Sequence, residues 1–350
     1  MDKVTLGKTG IEVCKNGFGP LPIQRISHED AVGLLRRAYN AGFRFFDTAR
    51  FYTDSEEKVG AAFEGIRDKV YIATKTMAKT AADFERDLSE SLEKLRTDYI
   101  DVYQFHNPPF CPKPGDGTGL YEAALKAKAE GKIRHIGITN HRIGIAREAL
   151  DSGLYETLQF PFSYLASDDE TALVSRCERD GVGFIAMKAL AGGLINNSRA
   201  AYAALAEYPN VLPIWGIQRE RELDEFISYI SNPPVLDGAL RELIEEDRAE
   251  LRGGFCRGCG YCMPCPQGIE IPNVARMSLM LRRAPVDVYT TPEWREKMER
   301  AADCIHCNKC AEHCPYSLDT PSLIGDNYRD FKDFIKKLDK QAAAQSDLLN

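Results

Sequence analysis

The stretch HEDAVGLLRRAYNAGFRFFD (residues 28–47) joins a helix-period segment to a short apolar run, and this combination recurs along the chain. Residues 28–42 have the apolar spacing of an amphipathic helix, and residues 43–47 have the composition of a buried strand. The run ends on Asp47, a polar residue at the carboxyl end of the predicted strand. We expect the first two thirds of the chain to be built from repeats of this unit.

Seven apolar runs with strand character occur before residue 235, and helix-period segments lie between them. The runs are FRFFD (43–47), KVYIATK (69–75), YIDVYQFH (99–106), IRHIGITN (133–140), ETLQF (156–160), VGFIAMK (182–188) and VLPIWGI (211–217). A weaker run near residues 13–19 raises the number to eight. About eight strand–helix units predict a parallel sheet closed into a (β/α)8 TIM barrel. The alternative, a doubly wound open sheet, would carry a glycine-rich fingerprint after its first strand, and GFGP (17–20) does not match it.

Length and composition indicate one large domain followed by a small one. The chain has 350 residues, of which 44% are hydrophobic, enough to bury a substantial core. After Asn232 the composition changes, and a charged helix is expected over residues 240–252, with an amphipathic helix in the tail (331–350). We therefore predict an α/β barrel over residues 1–237 and a mainly helical domain over residues 238–350.

Charge and hydropathy limit the partners that the protein is expected to have. A net charge of −7 argues against a general nucleic-acid binder and against an anionic-membrane binder. The segment MDKVTLGKTGIEV has no apolar run behind a basic segment, so no signal peptide is predicted. No stretch reaches the ~18 apolar residues that a membrane helix needs. We predict a cytoplasmic protein without a nucleic-acid or membrane partner.

Cysteine is unusually frequent, and most of it lies in two runs near the carboxyl terminus. The chain has 11 cysteines. Eight of them form the two runs, which are Cys256, Cys259, Cys262 and Cys265, and Cys304, Cys307, Cys310 and Cys314. In a reducing compartment such runs indicate metal ligands rather than disulfides. The second run, followed by Pro315, fits the ferredoxin pattern C-x2-C-x2-C-x3-C-P.

This pattern predicts two 4Fe–4S clusters, each taking three thiolates from one run and the fourth from the other. The predicted ligand sets are Cys256, Cys259, Cys262 with Cys314, and Cys304, Cys307, Cys310 with Cys265. The first run is one residue shorter before its last cysteine, which leaves the partition of ligands open. A pair of zinc sites, each with only cysteine ligands, is the alternative, although zinc modules usually split their ligands two and two across a longer loop.

Polar residues stand at nearly all predicted strand ends, which is where a TIM barrel carries its chemistry. The strand ends are Asp47, Lys75, His106, Thr139–Asn140, Gln159, Lys188 and Gly216, and all of them except Gly216 are polar. Tyr52, five residues after Asp47, could donate a proton to a carbonyl oxygen if a cation lowered its pKa. Lys75 supplies that cation, Asp47 keeps it charged, and His106 can orient the substrate oxygen. We call Asp47, Tyr52, Lys75 and His106 the catalytic tetrad.

The element D-x-A-x-x-Y-x-x-S-E (47–56), the strand-end lysine and YQFH (103–106) resemble the aldo-keto reductase superfamily. IRHIGITN (133–140) and LQFPFSYL (158–165) resemble its nicotinamide-binding strands. The resemblance covers roughly residues 1–235. It implies hydride transfer from NAD(P)H to a carbonyl carbon, or the reverse, with Tyr52 as general acid.

The resemblance also implies a set of cofactor-binding residues. Asn140 and Gln159, with Thr139, would hold the nicotinamide carboxamide, and Phe162 would stack on its ring in place of the usual tyrosine. The full set is Thr139, Asn140, Gln159, Phe162, Lys188, Gly216, Gln218, Arg219 and Glu225. Glu222 stands where the family often has a second basic residue, so both NADP(H) and NAD(H) remain open.

The cysteine-rich segment resembles the ferredoxin-like extension of a subset of aldo-keto reductases. Nicotinamide carries two electrons as hydride, whereas an iron–sulfur cluster carries one, so three hypotheses follow. In the first, the protein reduces an aldehyde or ketone, or oxidises the alcohol, and its clusters have a structural or redox role. In the second, it exchanges electrons with an external ferredoxin or flavoprotein. In the third, it is a nucleotide-binding redox sensor without turnover. We favour the first, with a small-molecule carbonyl or alcohol substrate.

Overall fold

Eight parallel strands close into a barrel, as the strand–helix repeat predicts. The computed structural model describes residues 3–251, 254–283 and 286–349, with side chains to residue 340. The strands are β1 (Lys3–Thr5) and β2 (Glu12–Cys14), which pair as a hairpin, and the barrel strands β3 (Gly17–Gly19), β4 (Phe45–Asp47), β5 (Tyr71–Thr76), β6 (Ile100–His106), β7 (Ile133–Thr139), β8 (Thr157–Pro161), β9 (Gly183–Met187) and β10 (Val211–Gly216). The β10 strand pairs with β3, which closes the barrel and confirms the predicted fold class.

Helices connect the barrel strands and cover the outside of the sheet. They are α1 (His28–Asn40), α2 (Ser55–Phe63), α3 (Ala81–Lys94), α4 (Leu120–Ala129), α5 (Ile143–Ser152), α6 (Asp168–Asp180), α7 (Ser198–Ala206) and α8 (Glu220–Ser231). The apolar spacing of α3 buries Phe84 and Leu88, and the Thr80 hydroxyl accepts the N–H of Asp83 at its amino end. Local sequence thus determines both where this helix begins and which face packs on the strands.

The amino-terminal hairpin is a feature that the sequence analysis does not predict. Its side chains Val4, Leu6, Ile11 and Val13 share one buried core with residues of the barrel strands, including Phe45. The sequence predicts one strand over residues 13–19, but β2 and β3 are separated at Lys15 and Asn16. The polar side chains of these two residues bind backbone carbonyls, Lys15 those of Ala206 and Tyr208 and Asn16 that of Phe226. This binding turns the chain from the hairpin into the barrel.

In the described part of the chain after residue 237, the regular elements are helices, and both cysteine runs lie largely in loops between them. Its helices are α9 (Gly238–Glu250), α10 (Ile271–Val274), α11 (Met277–Arg283), α12 (Val286–Tyr289), α13 (Pro292–Glu299), α14 (Lys309–Glu312) and α15 (Thr320–Leu349). The helices expected over 240–252 and in the tail correspond to α9 and α15. Arg252 and Asn350, which those expectations included, lie outside the described residues.

The chain divides into two compact units. The first runs to Leu190 and includes Asn197–Glu246, and the second contains Ala191–Asn196 and the described residues from Asp247 onward. The predicted domain boundary after residue 237 stays a prediction, because compactness alone does not establish where a domain folds independently. In the described part of the chain, no helix is long and apolar enough to cross a membrane.

Candidate active site and cluster sites

Asp47 and Lys75 form a buried ion pair at the carboxyl ends of β4 and β5. Lys75 Nζ donates to Asp47 Oδ2 at 2.6 Å and to the Thr48 carbonyl oxygen at 2.6 Å. The Asp47 and Lys75 side chains are only 2% and 1% exposed, respectively. Burial lowers the pKa of Lys75, and the Asp47 carboxylate opposes that shift. Asp47 therefore fixes the position of the amine and offsets part of the lowering of its pKa that burial causes.

Tyr52 and His106 lie close to this amine. Lys75 Nζ is 5.5 Å from the centre of the Tyr52 ring. The His106 ring is 5.9 Å from the Tyr52 ring, centre to centre, and the two planes are nearly perpendicular at 83°. Both side chains are half-buried, so they can meet a ligand as well as each other. The fold thus brings the four tetrad residues together.

The surroundings of His106 favour the neutral form of its imidazole. Burial and the nearby positive charge of Lys75 lower its pKa to about 3. Its Nδ1 atom is buried and has no hydrogen-bond partner among the described residues. A neutral imidazole donates one hydrogen bond and accepts another, so His106 can orient a carbonyl oxygen without delivering a positive charge.

Gln104 joins the tetrad to Gln159, and the sequence analysis missed this residue. Gln104 Nε2 donates to Asp47 Oδ1 at 3.1 Å and to Gln159 Oε1 at 2.8 Å. Gln159 Nε2 donates to Asp47 Oδ2 at 2.9 Å. All three side chains are buried. The available signal was strand alternation, which places Gln104 on the same side of β6 as His106.

Asn140 shapes the loop after β7. Its Oδ1 accepts the backbone N–H groups of His141 and Arg142 at 2.9 and 2.8 Å. Its Nδ2 donates to the Pro108 carbonyl oxygen at 2.9 Å. A side-chain amide has two N–H bonds, so a second donor remains for a nicotinamide carboxamide.

Thr139 and Phe162 both contact Met187 at the end of β9. Thr139 Oγ1 lies 3.8 Å from Met187 Sδ, and the Phe162 N–H donates to the Met187 carbonyl oxygen at 3.0 Å. The Phe162 ring is 2% exposed and packs edge-on against Phe184 and Tyr208. Its stacking on nicotinamide stays a prediction, and it requires the face of the ring to become accessible.

Glu222 caps the amino end of α8. Its Oε2 accepts the backbone N–H groups of Gln218 and Arg219 at 2.9 and 3.0 Å. The Arg219 guanidinium lies 3.6 Å from the other carboxylate oxygen. Backbone donors at a helix amino terminus are suited to anions, and here a side-chain carboxylate already occupies them.

Three other residues predicted to bind the cofactor lie on or directly after different elements of the barrel unit. Gly216 is the exposed last residue of β10. Lys188 directly follows β9 and has a left-handed backbone, with φ of 56°. Glu225, on α8, accepts a hydrogen bond from Ser198 Oγ at 2.7 Å. Their nucleotide contacts stay predictions.

Eight thiols line two hollows in the second compact unit. Cys256, Cys259, Cys262 and Cys314 line one of them. Cys265, Cys304, Cys307 and Cys310 line the other, to which Cys262 also contributes. Apart from Cys262, which lines both hollows, the cysteines of each predicted ligand set line one hollow, and the partition of ligands stays a prediction. Among the described residues, no three His, Cys, Asp or Glu side chains converge tightly enough to hold a single metal ion.

The thiol environment suits a cationic cluster core. Burial raises the pKa of Cys262 to about 12, and neighbouring thiols add to this shift. Burial also raises the pKa of Cys256, while the charge of Arg276 opposes the rise. Because thiolates are the ligands of iron, a bound core must supply the positive charge that stabilises them. Soft sulfur donors arranged around a hollow fit an iron–sulfur cubane.

The second hollow opens to the surface. Cys307 is exposed, and Ile305 beside it is 61% exposed. The other thiols of this hollow are half-buried (Cys265 and Cys304) or buried (Cys310), and the four thiols of the first hollow are half-buried.

Comparisons with known proteins agree with this architecture. Residues 15–204 match the model of the aldo/keto reductase family, and residues 255–319 match that of a 4Fe-4S dicluster domain. The chain belongs to the aldo/keto reductase family. It also carries a dicluster domain, and its two cysteine runs fit two 4Fe–4S clusters.

Two curated relatives illustrate the extent of the similarity. L-galactose dehydrogenase from Arabidopsis thaliana is 33% identical over 209 residues, which cover 54% of this chain and 66% of the relative. Methylglyoxal reductase DkgB from Salmonella typhi is 36% identical over 134 residues, which cover 36% of this chain and 48% of the relative. The chain spans about half to two thirds of the length of these relatives.

Solved structures show the same fold. An aldo-keto reductase from Klebsiella pneumoniae in complex with NADPH has a TM-score of 0.61 and 24% identity, covering 70% of this chain and 95% of that chain. A putative aldo-keto reductase from Pseudomonas aeruginosa has a TM-score of 0.59 and 23% identity, with coverages of 66% and 94%. At this identity the likeness establishes the barrel fold.

Proposed function

We propose that the chain is an NAD(P)H-dependent oxidoreductase that reduces an aldehyde or ketone, or oxidises the corresponding alcohol. The observation that carries this proposal is the position of Tyr52 beside both the Lys75 amine and the His106 ring. Family membership and relatives that are a dehydrogenase of L-galactose and a reductase of methylglyoxal support it.

Tyr52 acts as the general acid. Its phenolic O–H donates a proton to the carbonyl oxygen as negative charge develops there, and in the reverse direction the phenolate accepts the alcohol proton. The Lys75 amine, charged and held by Asp47, favours the phenolate electrostatically. Because the pair is buried, this interaction is stronger than it would be in water.

His106 orients the substrate oxygen. Because its pKa is about 3, the ring is neutral at physiological pH and offers one N–H donor. A neutral donor near the carbonyl stabilises developing charge without competing with Tyr52 for the role of acid. In this assignment Tyr52 donates the proton to the carbonyl oxygen, and His106 positions that same oxygen.

A bound nicotinamide nucleotide would supply or accept the hydride. Thr139, Asn140 and Gln159 would hold its carboxamide, and Phe162 would stack on the ring. The residues that would contact the remainder of the nucleotide are Lys188, Gly216, Gln218, Arg219 and Glu225. The spare N–H groups of Asn140 and Gln159 support the first part of this assignment.

The two clusters carry single electrons and have a structural or redox role in this function. The ligand sets are those predicted from the ferredoxin pattern, Cys256, Cys259, Cys262 with Cys314, and Cys304, Cys307, Cys310 with Cys265. The convergence of each set on one hollow supports this partition.

A second candidate function is electron exchange with an external ferredoxin or flavoprotein. The exposure of Cys307 and Ile305 favours it, because a one-electron carrier must approach a cluster edge at the surface. A flavoprotein partner would also resolve the mismatch between hydride and single-electron transfer.

The test is an anaerobic titration of the iron-loaded protein, first with NADPH and then with NADH. Calorimetry measures nucleotide binding, and the visible absorption of the clusters shows whether they are reduced. We expect binding without bleaching, and turnover of a panel of aldehydes and ketones. Bleaching by the nucleotide would favour the second candidate. Absence of binding to either nucleotide would reject the proposed function.

The role of the acid is tested by Tyr52→Phe. We expect turnover to fall by about 10²–10⁴-fold while nucleotide affinity stays unchanged, because the phenyl ring retains the shape but not the proton. Tyr71→Phe is the matched control, since Tyr71 begins β5 at the end of the strand opposite to Lys75. Turnover of Tyr52→Phe equal to that of the control would remove Tyr52 from the mechanism.

A further inference from the structure

The segment Ala191–Asn196 connects β9 to α7, yet it belongs to the second compact unit. It leaves the barrel shortly after Met187, which contacts Thr139 and Phe162, two of the residues predicted to hold the nicotinamide. The segment is joined to the barrel unit at both of its ends. Only residues 188–190 separate this segment from Met187 along the chain.

Arg276, on the loop between α10 and α11, fastens this segment. Its Nη1 donates a hydrogen bond to the Gly192 carbonyl oxygen at 2.8 Å. Gly192 has a φ of +68°, and a Cβ atom there would lie 3.1 Å from both Arg276 Nη1 and the Arg257 carbonyl oxygen. The left-handed backbone and the close approach both require glycine at this position.

The same guanidinium packs on the first cysteine run. A Cβ atom on Gly258, between Cys256 and Cys259, would lie 2.8 Å from Arg276 Nη1. The charge of Arg276 acts on Cys256. Arg276 Nε is buried and has no hydrogen-bond partner among the described residues. One side chain thus contacts the segment and the first cluster site together.

A second arginine holds the segment independently of the cysteines. Arg283 Nε donates to the Leu194 carbonyl oxygen at 2.7 Å, and Asn196 Nδ2 donates to the Arg283 carbonyl oxygen. The Arg283 guanidinium pairs with Asp247 and Glu250 on α9. Arg283 therefore anchors the far end of the segment, while Arg276 is the link to the first cysteine run.

We propose that Arg276 is a positioning residue that couples the oxidation state of the first cluster to the conformation of Ala191–Asn196. Thiolate ligands make the cluster site anionic, and one-electron reduction adds a further negative charge. This charge draws the guanidinium towards Cys256 and weakens its hydrogen bond to Gly192. The inference extends to nucleotide affinity, and this part of it rests on the proposed function. Coupling between the first cluster and the nucleotide site is reciprocal, so each changes the other's equilibrium by the same factor.

The first test needs no nucleotide. Hydrogen exchange across Ala191–Asn196 is compared in the iron-loaded, full-length protein, oxidised and then reduced with dithionite. We expect several-fold faster exchange after reduction in the wild type. In Arg276→Gln we expect the same fast exchange whether the cluster is oxidised or reduced. It should be about tenfold faster than in the oxidised wild type, because a charge-assisted hydrogen bond is lost. Arg276→Lys should restore part of the oxidised–reduced difference.

Arg282→Gln is the control, since Arg282 lies on the neighbouring helix α11 but is exposed and binds Ser278 and Asp330. It should behave as the wild type. Equal exchange in the oxidised and reduced wild type would overturn the inference. If Arg276→Gln fails to retain iron, the oxidised–reduced difference in exchange is compared between the wild type and Arg276→Lys. A smaller difference in Arg276→Lys supports the inference, and an equal one contradicts it.

The second test measures the midpoint potential of the first cluster with and without the nicotinamide nucleotide. We expect the nucleotide to lower this potential in the wild type and not in Arg276→Gln. A tenfold difference in affinity between the two oxidation states corresponds to about 59 mV for one electron. If no nucleotide binds, the proposed function fails, and the exchange experiment still decides the role of Arg276.

Discussion

Gln159 Nε2 and Lys75 Nζ donate to the same carboxylate oxygen, Oδ2 of Asp47, at 2.9 and 2.6 Å. Asp47 therefore links two side chains to which the sequence analysis assigns separate roles, Gln159 at the nicotinamide amide and Lys75 beside the proton donor. A change in the position of Gln159 on nucleotide binding would therefore alter the hydrogen bonding of Asp47 in its ion pair with Lys75. Gln104 completes the arrangement from the other carboxylate oxygen.

Gln104→Leu should weaken catalysis more than binding. The substitution removes the donor to Asp47 Oδ1 and to Gln159 Oε1, so the carboxylate is held less firmly. We expect kcat to fall about tenfold and the unfolding free energy of the barrel to fall by about 1–3 kcal/mol. Steady-state kinetics and denaturation measure these effects. Gln24→Leu, outside this network, is the control, and an unaltered kcat in Gln104→Leu would contradict the assignment.

His106 should remain neutral well below its ordinary titration range. Its folded-state pKa is about 3, below its unfolded value of about 6.5, so the unfolded chain binds more protons between these limits. The contribution of His106 to stability is therefore lost as the pH falls from 6.5 towards 3. We expect the wild type to lose more unfolding free energy between pH 7 and pH 5 than His106→Asn.

The matching control is His28→Asn, because His28 is exposed at the start of α1. It should show the same pH dependence as the wild type. Nuclear magnetic resonance gives a direct reading, since the His106 ring signals should stay constant from pH 8 to pH 5. An inflection near pH 6.5 would show that the ring is not held neutral.

Glu222→Ala should increase affinity for a nucleotide that carries a 2′-phosphate, relative to one that does not. The carboxylate now satisfies the N–H groups of Gln218 and Arg219 and pairs with Arg219. Its removal frees these donors for an anion. We expect the ratio of Kd for NADPH to Kd for NADH to fall about tenfold in calorimetry. Glu220→Ala, an exposed change two residues earlier, should leave this ratio as it is.

Iron content can establish which cysteines share a cluster. A single variant, Cys307→Ser, should lose about four of eight irons, since one cluster is lost and the other stays. A double variant within one ligand set, Cys256→Ser with Cys314→Ser, should also lose about four. A double variant across the sets, Cys256→Ser with Cys304→Ser, should lose all eight.

Cys111→Ser serves as the control, because Cys111 is buried beside Tyr155 in the barrel unit. It should retain the full iron content. Loss of all iron from the Cys256→Ser, Cys314→Ser pair would show that Cys314 belongs to the second cluster. Retention of eight irons in Cys307→Ser would remove that residue from the ligands.

The sequence predicted the barrel strands and the tetrad because both depend on local patterns. Each strand is a short apolar run, and each functional side chain stands at or just after the end of one. The cysteine runs were equally readable, since ligand spacing is itself local. These features needed no knowledge of which distant segments meet.

Other features depend on contacts between distant residues, and the sequence could not reveal them. The hairpin strands β1 and β2 have three residues each, too few for a periodic signal. The bonds that join Gln104 to Asp47 and Gln159 connect residues on three different strands. The link from Arg276 to Gly192 spans 84 residues, and neither residue belongs to a recognisable motif.

The buried hairpin determines from which end of the barrel small molecules can reach the tetrad. Val4, Leu6, Ile11 and Val13 fill the barrel at the end where the strands begin, and Gly7 bridges to Val182 there. The tetrad lies where the strands end. Under the proposed function, substrate and product therefore use the same opening, at the end of the barrel where the strands end, and the product has to leave before the next substrate binds.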